Sequence, residues 1–144
     1  MVTVLDGADR SVARHQCRIL RCIDLEILDI KGGDAATFEK ISGHPQAPTY
    51  AFARRLAALG RPTWIRFVLV PGHTDGHDNV EKLAEFVAGL KNVERVEILP
   101  FHQMGREKWH KLGVPYPMED VQPPSAELTE RVRGQFRSRG LTVY

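Results

Sequence analysis

The sequence predicts an α/β fold of parallel strands with covering helices, and three observations carry that expectation. From Asp24 onward, short β-rich runs alternate with helix-period patterns, the signature of successive βα units. The run Trp64-Ile-Arg-Phe-Val-Leu-Val70 is nearly continuously apolar, as suits a parallel strand covered on both faces. Glycine or proline follows each strand-like run, at Gly32-Gly33, Pro71-Gly72 and Pro100, and separates it from the next helix.

Taken in order, the first strand is Leu25-Glu-Ile-Leu-Asp-Ile-Lys31. Asp34 then caps a short helix whose Phe38 and Ile41 share a side and whose end is marked by Gly43. Pro48 sits in the first turn of the next helix, where its missing N–H is tolerated, and Phe52, Leu56 and Leu59 follow at helical spacing up to Gly60. After the Trp64–Val70 strand, Asp78 and Glu81 read as a capping box ahead of a buried stripe of Val80, Leu83, Phe86, Val87 and Leu90. Val93 to Leu99 is the third strand. Residues 103–124 read as a long connection rich in glycine and proline, and loops of that length in compact domains are usually functional. A last helix from about Ser125 to Arg139 turns Leu128, Val132 and Phe136 inward, and Leu141 to Tyr144 closes the chain as a short strand. Residues 1–23 stand apart as an atypical segment without sustained periodicity, carrying four arginines between Arg10 and Arg21.

Composition narrows the function classes. The 144 residues are 42% hydrophobic and 26% charged, enough to bury a core. Twenty Lys and Arg against 18 Asp and Glu leave a formal charge of +2, too even to call for nucleic acid or an anionic membrane. No apolar run approaches the roughly 20 residues of a membrane span, and the N-terminus lacks a secretory apolar region, so the expected location is the cytoplasm. Cys17 and Cys22 are the two cysteines; their spacing is neither a redox C-x-x-C nor a zinc knuckle, and two thiols cannot complete a four-cysteine site.

Parallel strands followed by helices form part of a barrel or a doubly wound sheet, and in both the chemistry gathers beyond the strands' C-terminal ends. Asp29 and Lys31 lie there, two apart and therefore on one face with Leu25 and Ile27. They either meet a carboxylate- or phosphate-bearing ligand or fray into solvent. Arg66, between Ile65 and Phe67, needs a partner such as Asp29 or Glu97, or else points into a barrel mouth toward substrate. His73-Thr-Asp-Gly-His-Asp78 offers four potential metal ligands in six positions, although Asp78 is read as a helix N-cap and Gly76 as a turn residue. His102 ends the third strand with an imidazole able to donate or accept. Arg131, Arg133, Arg137 and Arg139 are spread around the last helix, as on a solvated face.

Three segments, in order, carry a resemblance: Leu28-Asp-Ile-Lys31, Trp64-Ile-Arg-Phe-Val-Leu-Val-Pro-Gly72 and Leu99-Pro-Phe-His-Gln-Met-Gly105, with Lys108-Trp109 and Leu112-Gly113 continuing it. From about Asp24 to Tyr144 the chain resembles the C-terminal half of the pyruvate formate-lyase activating enzymes, which are radical S-adenosylmethionine activases of glycyl-radical enzymes. The resemblance implies the C-terminal half of a partial (β/α)₆ barrel, S-adenosylmethionine and a [4Fe–4S] cluster as cofactors, a glycyl-radical enzyme as partner, and a flavodoxin- or ferredoxin-type electron donor. It implies reductive cleavage of S-adenosylmethionine and removal of hydrogen from a glycine of the partner. By motif, Asp29, Ile30 and Lys31 would belong to the S-adenosylmethionine site, Lys31 at the methionine carboxylate and His102 at the nucleoside. Arg66 would help receive the partner's glycine loop.

The departures are as informative. The family's cluster motif, C-x₃-C-x₂-C, does not occur, nor does the Gly-Gly-Glu strand end that meets the methionine amine, and Phe101 stands where tyrosine is commoner. The expectation is a member or fragment of the family that is inactive alone, with residues 1–23 arising from a misassigned or frameshifted start. The alternative is a non-catalytic module that binds the glycyl-radical enzyme or completes a split activase. A third reading is an unrelated metal hydrolase using His73, Asp75 and His77.

Overall fold

The computed structural model describes residues 22–144, so Cys17 and nearly all of the 1–23 segment lie outside the described residues. Strand β1 (Glu26–Asp29) leads through Gly32-Gly33 into helix α1 (Ala35–Ser42). As expected, Asp34 caps α1: its carboxylate accepts from the Thr37 amide at 2.8 Å and the Thr37 hydroxyl at 2.9 Å. Gly43 ends the helix in the left-handed region with φ 71°, which a glycine adopts without Cβ strain. Helix α2 (Ala47–Ala58) follows with Pro48 in its first turn. Phe52 and Leu56 are buried as the spacing predicts, but Leu59 is 46% exposed: it lies past the last helical turn and leaves the inward face.

Strand β2 (Thr63–Leu69), helix α3 (His77–Ala88) and strand β3 (Val93–Pro100) complete two crossovers, giving a parallel sheet in the order β1-β2-β3. The last helix, α5 (Ala126–Arg137), is capped by Ser125, which accepts from the Leu128 amide at 3.1 Å. The terminal segment bridges to β3 through Val96 and Val143, in parallel and beside the edge opposite β1. Three bonds secure it: the Val96 amide donates to the Thr142 carbonyl at 2.8 Å, the Ile98 amide to the Tyr144 carbonyl at 3.0 Å and the Tyr144 amide to the Val96 carbonyl at 2.9 Å.

One sheet face holds the core. Leu28, Ile30, Ile65, Phe67, Leu69, Val96 and Ile98 pack against Phe38, Leu56, Leu83, Val87, Val132 and Phe136 from the helices. The other face is only half covered, because burial along β2 alternates strictly between buried and intermediate. The expectation of a strand covered on both faces is therefore corrected among the described residues. Helices cover one side, while Trp64, Arg66 and Val68 line the side that a closed barrel would turn to its interior.

Two further expectations change. Asp78 does not cap α3: the helix starts at His77 with Gly76 at the cap position, and the Asp78 side chain is 93% exposed. Glu81, the other half of the supposed capping box, instead accepts from Arg139 Nε at 2.7 Å and from Gln135 at 3.2 Å. The 103–124 connection is also not structureless. A 3₁₀ turn at Gln103–Gly105 runs into helix α4 (Arg106–Lys111), and Gln103 Nε2 donates to the Met118 carbonyl at 2.9 Å and the Val121 carbonyl at 2.7 Å. No helix among the described residues is long and apolar enough to cross a membrane.

Candidate functional site at the strand ends

Parallel register sets the half-covered face. Asp29 lies opposite Arg66, and Arg66 opposite Glu97, so three charged residues form one row across the sheet. Arg66 Nε bonds Glu97 at 2.8 Å, with Asp29 on its other flank. Glu97 also receives Arg95 at 2.6 Å, and the Arg95 guanidinium lies 3.3 Å over the Trp64 ring. The Arg66 bond chiefly holds the Glu97 carboxyl below its ordinary range, against a smaller upward push from burial. Arg66 thus pairs with Glu97, one of the two acids the sequence offered it, on the half-covered face of the sheet.

Lys31 follows β1 at the same end, half-exposed, with its ammonium 3.5 Å from Asp29. That is a loose, solvent-screened pair that a ligand carboxylate could replace. Ile30 points the other way. Its side chain is fully buried in the core while its amide donates to the Arg66 carbonyl at 3.0 Å, so its backbone is the part nearest the strand-end mouth.

The turn after Lys31 is gripped from both sides. Tyr50 donates its hydroxyl to the Gly32 carbonyl at 3.2 Å, and Gln46 donates to the same oxygen at 3.1 Å. Burial pushes the Tyr50 phenol up to about 12, so it remains a donor at neutral pH. From the opposite side, Asn79 Oδ1 accepts from the Gly33 amide at 2.7 Å and the Asp34 amide at 3.1 Å. A Cβ on Gly33 would stand 2.0 Å from the Asn79 carbonyl oxygen, so only glycine lets the turn approach α3 this closely.

His102 extends from β3 at the same end and is exposed, its Nδ1 accepting from the Met104 amide at 3.4 Å. The strand ends thus bring Asp29, Lys31 and Arg66 onto neighbouring positions, while His102 stands further along on the segment leading into α4.

The donor sets decide which groups fit. Lys31, Asp29 and the exposed imidazole of His102 offer a cation, a carboxylate and a ring nitrogen able to donate or accept at this end of the sheet. A [4Fe–4S] cluster is different: thiolates hold it, and Cys22 is the one cysteine among the described residues and is exposed. With two cysteines in 144 residues, the three thiolates of the family motif cannot come from this sequence. The His73–Asp78 run does not assemble either, since no group of three His, Cys, Asp or Glu side chains among the described residues could hold a metal ion. Instead, Arg131 donates to the Asp75 carbonyl at 2.6 Å and Gln135 to the His77 carbonyl at 3.0 Å, which ties that segment to α5.

Sequence reasoning missed Asn79, Thr74 and the second arginine on Glu97. Asn79 had a legible signal: it sits four residues before Leu83 on the inward stripe of α3, a polar residue at a core position.

No family model matches the chain. Among curated proteins, it is 46% identical over 116 residues to the pyruvate formate-lyase-activating enzyme of Streptococcus mutans, covering 81% of this chain and 44% of that protein. With the enzyme of the same name from Staphylococcus epidermidis it shares 46% identity over 117 residues, covering 81% and 47%. With that of Staphylococcus aureus it shares 43% over 121 residues, covering 84% and 48%. The chain therefore spans about half the length of the curated relatives it matches. Among solved structures, a domain of a pyruvate-formate lyase-activating enzyme from Bacteroides vulgatus superposes with a TM-score of 0.75 at 22% identity, covering 95% of this chain and 74% of that one. A radical SAM methyltransferase from Sphaerobacter thermophilus gives 0.62 at 22% identity, covering 82% and 32%. At that identity the two structures speak to the fold alone, a parallel three-stranded sheet with helices packed on one face.

Proposed function

Starting from a chain homologous to about half of the pyruvate formate-lyase-activating enzymes it matches, we propose that residues 24–144 form the part of such an enzyme that binds S-adenosylmethionine and receives the partner's glycine loop. The observation that carries this reading is the strand-end row itself: Asp29, Lys31 and Arg66 stand together at the mouth, where barrel enzymes place their chemistry. S-adenosylmethionine, when bound, supplies the reductively cleavable sulfonium of the radical reaction.

This chain's residues bind and orient. Lys31 would exchange its loose pairing with Asp29 for the methionine carboxylate, and His102 would meet the nucleoside. The Ile30 backbone would line the floor between them. Arg66 spends Nε on Glu97, which leaves its terminal nitrogens to meet backbone carbonyls of a glycyl-radical enzyme's loop. The thiolates of the [4Fe–4S] cluster would come from polypeptide other than these residues, as would the flavodoxin- or ferredoxin-type donor of the electron.

Calorimetric titration of the 144-residue chain with S-adenosylmethionine tests the proposal. The expected result is one saturable site, weakened roughly tenfold or more by Lys31→Ala, the scale of losing a charge-assisted bond. Absence of binding by the wild-type chain would overturn it.

A further inference from the structure

Two buried polar side chains outside the ligand-facing row form a continuous bridge between the loops that follow β1 and β2. Thr74 is 1% exposed, and its hydroxyl accepts from the Val70 amide at 2.8 Å while donating to the Val68 carbonyl at 2.9 Å. This folds the Pro71–Thr74 segment back onto the end of β2. The Thr74 carbonyl then accepts from Asn79 Nδ2 at 2.7 Å. Asn79, 6% exposed, turns its other amide atom to the Gly33 and Asp34 amides. The bonds therefore run from the end of β2, through Thr74 and Asn79, to the turn two residues after Lys31.

We propose that Asn79 and Thr74 are positioning residues for the S-adenosylmethionine carboxylate site, acting by holding the Gly32-Gly33 turn and so the placement of Lys31. The inference rests on the reading of Lys31 given under Proposed function. Its physical basis is that an asparagine amide is the group suited to this place. It must accept from two backbone N–H groups on one side and donate to a carbonyl on the other. A carboxylate would lack the donor, and an apolar side chain would leave the buried Thr74 carbonyl and the part-buried Gly33 and Asp34 amides without this partner. Burial of both side chains leaves them no role as ligand contacts. Their effect on binding passes through the turn, where a displacement of about 1 Å is enough to cost a site much of its affinity.

The test is titration of S-adenosylmethionine into the full chain and four variants, with thermal melts of each. Asn79→Ala and Thr74→Val should each weaken binding roughly tenfold or more, while Thr74→Ser, which keeps the hydroxyl, binds as wild type does. Val87→Ala is the stability control: Val87 is fully buried on the same helix, at the end away from the mouth, and its loss should lower the melting temperature without changing affinity. If Asn79→Ala fails to fold, the Thr74 pair decides. Wild-type affinity in Asn79→Ala and Thr74→Val would overturn the inference, and so would an equal loss in Val87→Ala. If Lys31→Ala weakens binding while those two do not, the clamp fails and the Lys31 reading stands. If the wild-type chain does not bind, the Lys31 reading fails first and takes the clamp with it.

Discussion

Glu97 organises the charges on the half-covered face because one carboxylate accepts from two guanidinium groups, Arg66 on β2 and Arg95 on its own strand. The Arg66 bond chiefly sets its acidity below the ordinary carboxylate value of 4.5, so the folded chain binds this proton less tightly than the unfolded one. The stabilisation is complete above 4.5 and is lost as pH falls through the lower folded value. Thermal melts on an acid series should therefore show a steeper loss for wild type than for Glu97→Gln, which has no proton to gain there. Parallel curves would sink that assignment. At this scale the sequence was partly legible: an arginine between Ile65 and Phe67 demands an acid, and Glu97 was one of two candidates. Register sets both acids across from Arg66, and the choice came from the side chains: Arg66 Nε donates to Glu97 at 2.8 Å.

Helix α3 joins the core to the site. Its inward stripe packs Val80, Leu83 and Val87 against the sheet, and the same stripe carries Asn79 at the mouth end. Leu83→Ala should cost about 2–5 kcal/mol of stability, the usual loss for a fully buried leucine, read as a lower urea midpoint at unchanged slope. The apolar period of α3 and α5 was plain in the sequence because 3.6-residue spacing is a local property. The start of α3 was not. Asp78 and Glu81 have capping-box spacing, but Arg139 and Gln135, more than 50 residues away, take Glu81 for themselves. The 103–124 connection was misread for the same reason. Its order comes in part from Gln103, which gathers carbonyls 15 and 18 residues away, and from Glu119, which pairs with Arg106 and His110.

As a whole, the described residues make an open sheet. The outer edge of β1 has no strand partner among them, and Ile27 beside that edge is 41% exposed. An unpaired edge with exposed apolar side chains invites pairing with another chain. Light scattering should show the apparent mass rising with concentration, and Ile27→Lys should suppress that rise by placing a charge on the face. A concentration-independent monomer in both proteins would contradict the expectation. Reconstitution with iron and sulfide should likewise leave the chain without a stoichiometric [4Fe–4S] cluster, since two cysteines cannot supply three thiolates.

The sequence by itself determined the order of the strands and of every helix but α4, the core faces of α3 and α5, that of α2 apart from Leu59, and the strand-end placement of Asp29, Lys31 and His102. These follow from periodicity and turn chemistry, which act between near neighbours in the chain. Only the tertiary structure decided that Glu97 holds Arg66 and that Asn79 bridges the two loops. Each depends on the register of parallel strands or on a bond across more than 30 residues, and such pairings are set when the sheet and its helices close together.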